Sequence, residues 1–296
     1  MIRIGIDFGG TKIEAAALNA AGQFVARVRT PTPVGYEAAL EAVRGLVAEA
    51  EKQAGAKAAK VGVGGPGSVS ATTGLMRNAN STQLNGRAFV VDLEKTLGCP
   101  VRYANDANCL ALSEATDGAG QGAMTVFAAI LGTGCGAGIA VNGRVQAGRN
   151  GIAGEWGHTP LPWPRDGEYP GPRCWCGRNG CLELWISSSG LARDHGGQLT
   201  GEAVADLAKA GEPDAIAAVD RYVDRLARGL AVIADILDPG VIVLGGGMSN
   251  LAVLYERLPS AIEPYVFSDR YEVPILQSVH GDSSGVRGAA WLWPTQ

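Results

Sequence analysis

Several short stretches of this sequence carry residue types that can do chemistry, at spacings that let them work together. Asp7-Phe-Gly9-Gly10-Thr11-Lys12 joins an apolar strand to a glycine turn, with a carboxylate at one end and an ammonium at the other. Glycines at a strand end let backbone N–H groups approach phosphate oxygens with no Cβ in the way, and Asp7 suits a hydrated magnesium ion. Gly132-Thr133-Gly134-Cys-Gly136-Ala-Gly138 repeats the device, and Gly245-Gly246-Gly247 repeats it again after apolar Val241 to Leu244. Three glycine turns on strand ends outline a nucleotide cleft. Neither of the first two fits G-x-G-x-x-G opening a helix, because β-forming residues follow both, and no G-x-x-x-x-G-K-[ST] occurs. A dinucleotide site and a Walker A loop are therefore excluded.

Ala104-Asn105-Asp106-Ala-Asn108 follows a short strand around Val101 and opens a helix through Leu110, Leu112 and Ala115. Asp106 near a helix N-terminus serves either as an N-cap or as a general base, the carboxylate that phosphoryl transfer to an alcohol needs. Asn78, Asn80, Asn85 and Asn105 suit hydroxyl recognition because an amide both donates and accepts, and each is equally a turn residue. Cys174-Trp-Cys176-Gly-Arg-Asn-Gly-Cys181, with His158 upstream, supplies three thiolates and an imidazole, a set suited to a closed tetrahedral zinc site. Four protein ligands leave no position for an activated water, so the zinc would be structural, clamping the loop from Pro160 to Arg173. Glu155 and Glu183 flank the ligands, placing two carboxylates where sugar hydroxyls can be bound. Cys99, Cys109 and Cys135 are isolated and read as small buried hydrophobes. His195 and His280 receive no catalytic role.

The elements that position these residues read as α/β. Ile2 to Phe8, Ile13 to Leu18 and Phe24 to Val28 are three strands joined by the glycine turn and by Asn19-Ala-Ala-Gly22. A helix with Leu40, Val43, Leu46, Val47 and Ala50 on one face stops at Gly55. Val126 to Leu131, Ile139 to Val141 and Arg144 to Ala147 repeat the three-strand pattern about a hundred residues later, around the second glycine turn and an Asn142-Gly143 hairpin. This internal repeat predicts two related lobes facing a shared cleft: 1–118 and 119–296, with a last helix over about 285–296 packing back on the first lobe. A long helix from Pro213 to Leu237 puts Ile216, Val219, Val223, Leu226, Leu230 and Ile233 on one face. Ser249 or Asn250 is the expected cap of the following helix, and residues 281–284 of the last.

With 46% hydrophobic and 18% charged residues over 296 positions, the chain can bury sizeable cores. The net charge of −4 and the absence of any basic run argue against nucleic acid. Apolar stretches fall well short of the ~20 residues of a spanning helix, and Met1 leads directly into a strand with no signal-peptide pattern. The expected setting is the cytoplasm, where thiols stay reduced and clustered cysteines indicate metal.

Taken together, Asp7-x-Gly-Gly-Thr-Lys12, Asn105-Asp106, Gly132-Thr-Gly134, Glu155-x-Gly-His158 and Cys174-x-Cys-Gly-x-x-Gly-Cys-x-Glu183 resemble the ROK family of bacterial sugar kinases (repressor, open reading frame, kinase) along essentially the whole chain. The resemblance implies the two-lobed actin-like, ribonuclease-H-like ATPase fold, with ATP and magnesium along the glycine turns and Asp106 as catalytic base. It implies Asn80, Asn105, Glu155, His158 and Glu183 as sugar contacts, His158 also binding zinc with the three cysteines, and a homodimer. Asn78-Ala-Asn-Ser-Thr82, Leu84-Asn-Gly86 and the segment from His280 to Pro294 look like the fructokinase or mannokinase branch. Fructose is then the expected acceptor, with a glucokinase or an N-acetylhexosamine kinase as the alternative within the family. A sugar-responsive non-enzymatic regulator is the alternative of another class, and no helix-turn-helix precedes Ile2 to provide DNA binding.

Overall fold

The computed structural model of the protein describes residues 2–293, so the last positions of the expected C-terminal helix, Pro294 to Gln296, lie outside the described residues. Strands β1 (Arg3–Phe8), β2 (Lys12–Leu18) and β3 (Phe24–Pro31) precede helix α1 (Tyr36–Ala54). Strand β4 (Val61–Gly65) leads to the short hairpin β5 (Ser68–Val69) and β6 (Met76–Arg77), helix α2 (Phe89–Leu97), strand β7 (Val101–Asn105) and helix α3 (Asp106–Asp117). The second half holds β8 (Thr125–Leu131), β9 (Cys135–Val141) and β10 (Arg144–Val145), then α4 (Glu183–Ile186), α5 (Ser188–Asp194), α6 (Gly201–Lys209) and α7 (Pro213–Leu237). It closes with β11 (Val241–Gly245), α8 (Ala252–Ile262), β12 (Ile275–Gln277) and α9 (Ser284–Trp291).

The internal repeat is visible strand by strand. One five-stranded sheet runs β3-β2-β1-β4-β7 and the other β10-β9-β8-β11-β12. In each, an antiparallel three-strand meander carries two parallel strands on its far side. Strand β3 extends past the expected stop to Pro31 because it is an edge, where a missing N–H costs no ladder bond.

Alternation along the strands sorts side chains between two faces. Ile4, Ile6 and Phe8 enter a core with Val43, Val47 and Phe89, leaving Gly5 and Asp7 on the opposite face. Phe127, Ala129 and Leu131 pack with Leu226 and Leu230 of α7, while Val126 and Ala128 pack with Leu110 and Ala111 of α3. Ile216, expected on the buried face of α7, is 40% exposed, because at that turn the packed face is carried by Ala215, Ala218 and Val219.

Two helices cross between the sheets. Helix α3 follows the first sheet in sequence but lies on the second, and α9 follows the second but lies on the first. Glycines make both crossings feasible: a Cβ at Gly5 would sit 2.0 Å from the Val286 carbonyl oxygen, at Gly62 1.8 Å from that of Ala289, and at Gly288 1.9 Å from that of Cys109. Gly62→Ala is accordingly expected to cost at least about 2 kcal/mol, the scale of backbone overpacking. Gly45→Ala, on the exposed face of α1 with open space around it, should be neutral or stabilising by up to about 1 kcal/mol. Denaturant unfolding of the pair checks this, and equal midpoints would contradict the packing argument.

The expected caps are corrected. Helix α8 begins after Leu251 with no side-chain cap, since Ser249 Oγ and Asn250 Nδ2 instead bond the carbonyls of Gly246 and Gly247. Helix α9 also lacks a side-chain cap; Ser284 is buried and bonds Glu114 of α3. No helix among the described residues is long and apolar enough to cross a membrane.

Candidate active site

The turn between β1 and β2 is closed by Gly9 N–H to Lys12 O (3.0 Å) and pinned from outside by Thr32, whose N–H bonds Thr11 O (2.9 Å) and whose hydroxyl bonds Gly9 O (2.7 Å). Gly10 and Thr11 are left exposed at its tip. The matching turn between β8 and β9 is held by Ser188 N–H to Gly132 O (2.8 Å) and Ser189 Oγ to Thr133 O (2.9 Å), with Thr133 and Gly134 exposed. Gly246 and Gly247 are exposed after β11. Three other glycines of the expected phosphate set lie in strands rather than at the turn. Gly136 and Gly138 belong to β9 and Gly245 to β11. Gly138 and Gly245 are buried; their missing side chains admit α3, since a Cβ would sit 2.2 Å from Ala107 O and 3.0 Å from Leu110 Cδ2. Gly138 and Gly245 are thus packing positions, while a Cβ at Gly136 would meet only Ala107 Cβ at 3.7 Å.

Asn105 takes the capping role that was open for Asp106: its Oδ1 accepts from Ala107 N–H at 2.9 Å. Asp106 is the first residue of α3 and is exposed, with Oδ1 accepting from Ala107 N–H at 2.8 Å. Crowding by surrounding protein raises its pKa; the Ala107 N–H opposes this and the Glu155 carboxylate adds to it. Asp7, on the face of β1 turned toward α9, rises from 3.8 to about 6 through desolvation, then through the charges of Asp106 and Glu14, with Lys12 opposing. Glu14 is directly opposite Asp7 in the ladder and is buried against Arg27. A carboxylate group short of positive charge fits a divalent cation.

Of the other asparagines, Asn78 has φ +57 and Asn85 clamps Ala79 from both sides, accepting from its N–H and donating to its carbonyl at 2.9 Å each. Asn85 thus braces the loop, and Asn78 takes a left-handed position in it. Asn80 is exposed between them.

Glu155 and His158 sit on a 3-10 turn, Glu155–His158, that lies flat on β9 because Gly154 and Gly157 have no side chains. Trp156 anchors it, buried edge-on against Phe127 at 5.3 Å. The donor atoms of His158, Cys174, Cys176 and Cys181 all lie within 4.8 Å of one another, a spacing and donor set that fit tetrahedral zinc. Glu183 opens α4 and joins this cluster to the second glycine turn, its Oε2 accepting from Cys135 N–H at 3.0 Å.

Some of the site was invisible in the sequence. The loop from Pro160 to Arg173 has a second clamp: buried Glu168 bonds Arg225 Nε at 2.7 Å and Arg228 NH1 at 2.9 Å, and Arg228 also bonds the carbonyls of Pro162 and Trp163. Burial alone would raise Glu168; Arg228, the Arg165 N–H and Arg225 outweigh it and hold its pKa at about 2. A cavity of about 450 Å³ opens beside Thr133, bounded by Ser188, Arg193 and Glu202. A groove of about 570 Å³ around Asp238 and Arg270 lies at the other end of β11 and contains none of the residues named for the site.

The model of the ROK family matches residues 3–296. The N-acetyl-D-glucosamine kinase of Photobacterium profundum is 40% identical over 297 residues, 97% of this chain and 98% of that protein. That of Haemophilus influenzae is 40% identical over 305 residues, 99% of each. Among solved structures, a ROK hexokinase from Thermus thermophilus superposes with a TM-score of 0.87 at 34% identity, covering 99% of this chain and 97% of the other. Agreement over the full length, in sequence and in both sheets, leaves one assignment: this chain belongs to the ROK family.

Proposed function

We propose that this chain transfers the γ-phosphoryl group of ATP to a hydroxyl of a hexose, with Asp106 as the general base. Sugar kinase is the class shared by its full-length relatives. The observation that carries the role of Asp106 is local: Asn105 caps α3, so the carboxylate one residue later is left at the cleft with its proton affinity raised. Phosphates lie along Gly9–Thr11 and Gly132–Gly134, Asp7 holds magnesium, and the nucleoside end of ATP occupies the cavity beside Thr133. Magnesium, when bound, neutralises charge developing between the phosphates. Asn80, Asn105, Glu155, His158 and Glu183 face the sugar hydroxyls. Zinc held by His158, Cys174, Cys176 and Cys181 is structural. The two halves, 1–118 and 119–296 with α9 returned to the first sheet, act as lobes that close over the reactants and exclude water.

The relatives at 40% identity favour N-acetyl-D-glucosamine as acceptor, the alternative reading of the sequence, over fructose. Fructose stays as a second reading on one observation: Asn78-Ala-Asn-Ser-Thr82 and Leu84-Asn-Gly86, which look like the fructokinase branch, form a loop that Asn85 holds rigidly next to the first glycine turn. Sites that pair buried polar groups with hydroxyls reject mismatched acceptors steeply. Ranking kcat/KM over N-acetylglucosamine, N-acetylmannosamine, glucose, mannose and fructose with magnesium and ATP should put N-acetylglucosamine at least about tenfold ahead. Fructose in first place would replace the first reading by the second, and no sugar-dependent ADP release would end the kinase reading.

A further inference from the structure

Trp175 lies between two of the zinc-ligand cysteines and belongs to no part of the site described so far. Cys174 and Cys181 are buried, and the turn Cys174–Gly177, closed by Gly177 N–H to Cys174 O at 3.0 Å, pushes the residue between the thiols outward. The side chain is 70% exposed, an unusual place for the largest apolar residue. It is nevertheless fixed. Its indole N–H donates to Glu183 Oε1 at 2.9 Å, and its ring stands edge-on to the His158 imidazole, 4.9 Å between centroids at 82°. Both contacts go to groups that face the acceptor, and neither goes to the hydrophobic core.

The Glu183 carboxylate is therefore held at both oxygens, by Cys135 N–H in the second glycine turn and by Trp175 in the zinc loop. Each oxygen keeps a lone pair for a hydroxyl. We infer that Trp175 forms one wall of the acceptor site, laying its open ring face against the C–H face of the bound sugar while its N–H holds Glu183 in register. This rests on the sugar-kinase reading above. A hexose offers the right complement, since its ring presents C–H groups on one face and hydroxyls at the rim, and an aromatic face is the negative end of a quadrupole.

Trp175→Ala removes the wall and the N–H, and Trp175→Phe keeps a smaller aromatic ring while removing the N–H together with the fused five-membered ring. With the best acceptor of the ranking, Trp175→Ala should raise the sugar KM by about tenfold or more, and Trp175→Phe by about threefold. The ATP KM and the zinc content should stay within about twofold of wild type, a split that general loosening of the zinc loop would not produce. Sugar binding without ATP should change the intrinsic fluorescence of the wild-type protein, and that response should be lost in Trp175→Phe, which keeps the other five of the six tryptophans. A sugar KM for Trp175→Ala within about twofold of wild type with zinc retained overturns the inference while leaving the kinase intact. If the wild-type protein turns over no sugar, the kinase reading fails, and the fluorescence titration still decides Trp175: an equal response in both proteins, or none in either, overturns the inference.

Discussion

Asp106→Asn should lower kcat by at least about 100-fold, the usual scale for removing a general base, while the protein stays folded and keeps its sugar affinity. The separation follows from what Asp106 does and does not do in the structure. Asn105 supplies the helix cap, so amidation at 106 removes no cap, and an Asn Oδ1 accepts from Ala107 N–H as the carboxylate does. The sign of the pKa displacement points the same way. Asp106 is exposed at the start of α3, but the protein packed around it desolvates the carboxylate and raises its folded-state pKa above the unfolded value, so ionisation disfavours the folded state slightly as pH rises through the folded pKa, solvent screening keeping the effect small. Replacing the carboxylate by a neutral amide should leave the melting temperature at pH 8 equal to or above that of wild type, and the advantage should vanish near pH 4. Turnover within about threefold of wild type would remove Asp106 from the role of base. A large fall in melting temperature at pH 8 would mean that the side chain is structural after all.

Zinc removal should be the largest change in stability. The purified protein is expected to carry about one zinc per chain, and Cys181→Ser or chelation should lower stability by about 4 kcal/mol where free zinc otherwise stands a thousandfold above its dissociation constant. Sugar affinity should fall with it, because His158 and Glu183 are positioned by the same segment. The fall should be partial and local. Glu168, gripped by Arg225 and Arg228, still ties the Pro160 to Arg173 loop to α7 when the metal is gone. Because Glu168 has its folded-state pKa depressed to about 2, that clamp is at full strength above the unfolded carboxylate range near 4 and weakens only as pH falls toward about 2. Elemental analysis and calorimetry with and without chelator test both halves. Protein purified without chelator that contains no zinc, or that melts at the same temperature after chelation, refutes the site.

Local sequence by itself determined the strands, the long helix and the chemistry-bearing motifs, because each depends on neighbours along the chain. Alternation in Ile4, Ile6 and Phe8 names a strand and its core face, Pro213 and Asp238-Pro-Gly240 bracket α7, and the spacing of three cysteines with His158 singles out a group that the fold brings together. The repeat of strand, glycine turn, strand also implies the two matching sheets. Tertiary structure decided which glycine is left exposed at a turn and which lies buried under a helix. Gly134 and Gly138 are alike in sequence, yet one is exposed at a turn and the other lies under Ala107 of a helix that begins some thirty residues earlier. It also decided that Asn85 holds Ala79, since an amide's partner is whichever group the folded chain brings within reach. The Glu168 clamp joins residues 57 and 60 positions apart, and the Trp175 contact to Glu183 depends on a turn aimed by buried thiols. Such pairings are set by the distance between elements after they pack, a quantity that no local pattern of apolar and polar residues encodes.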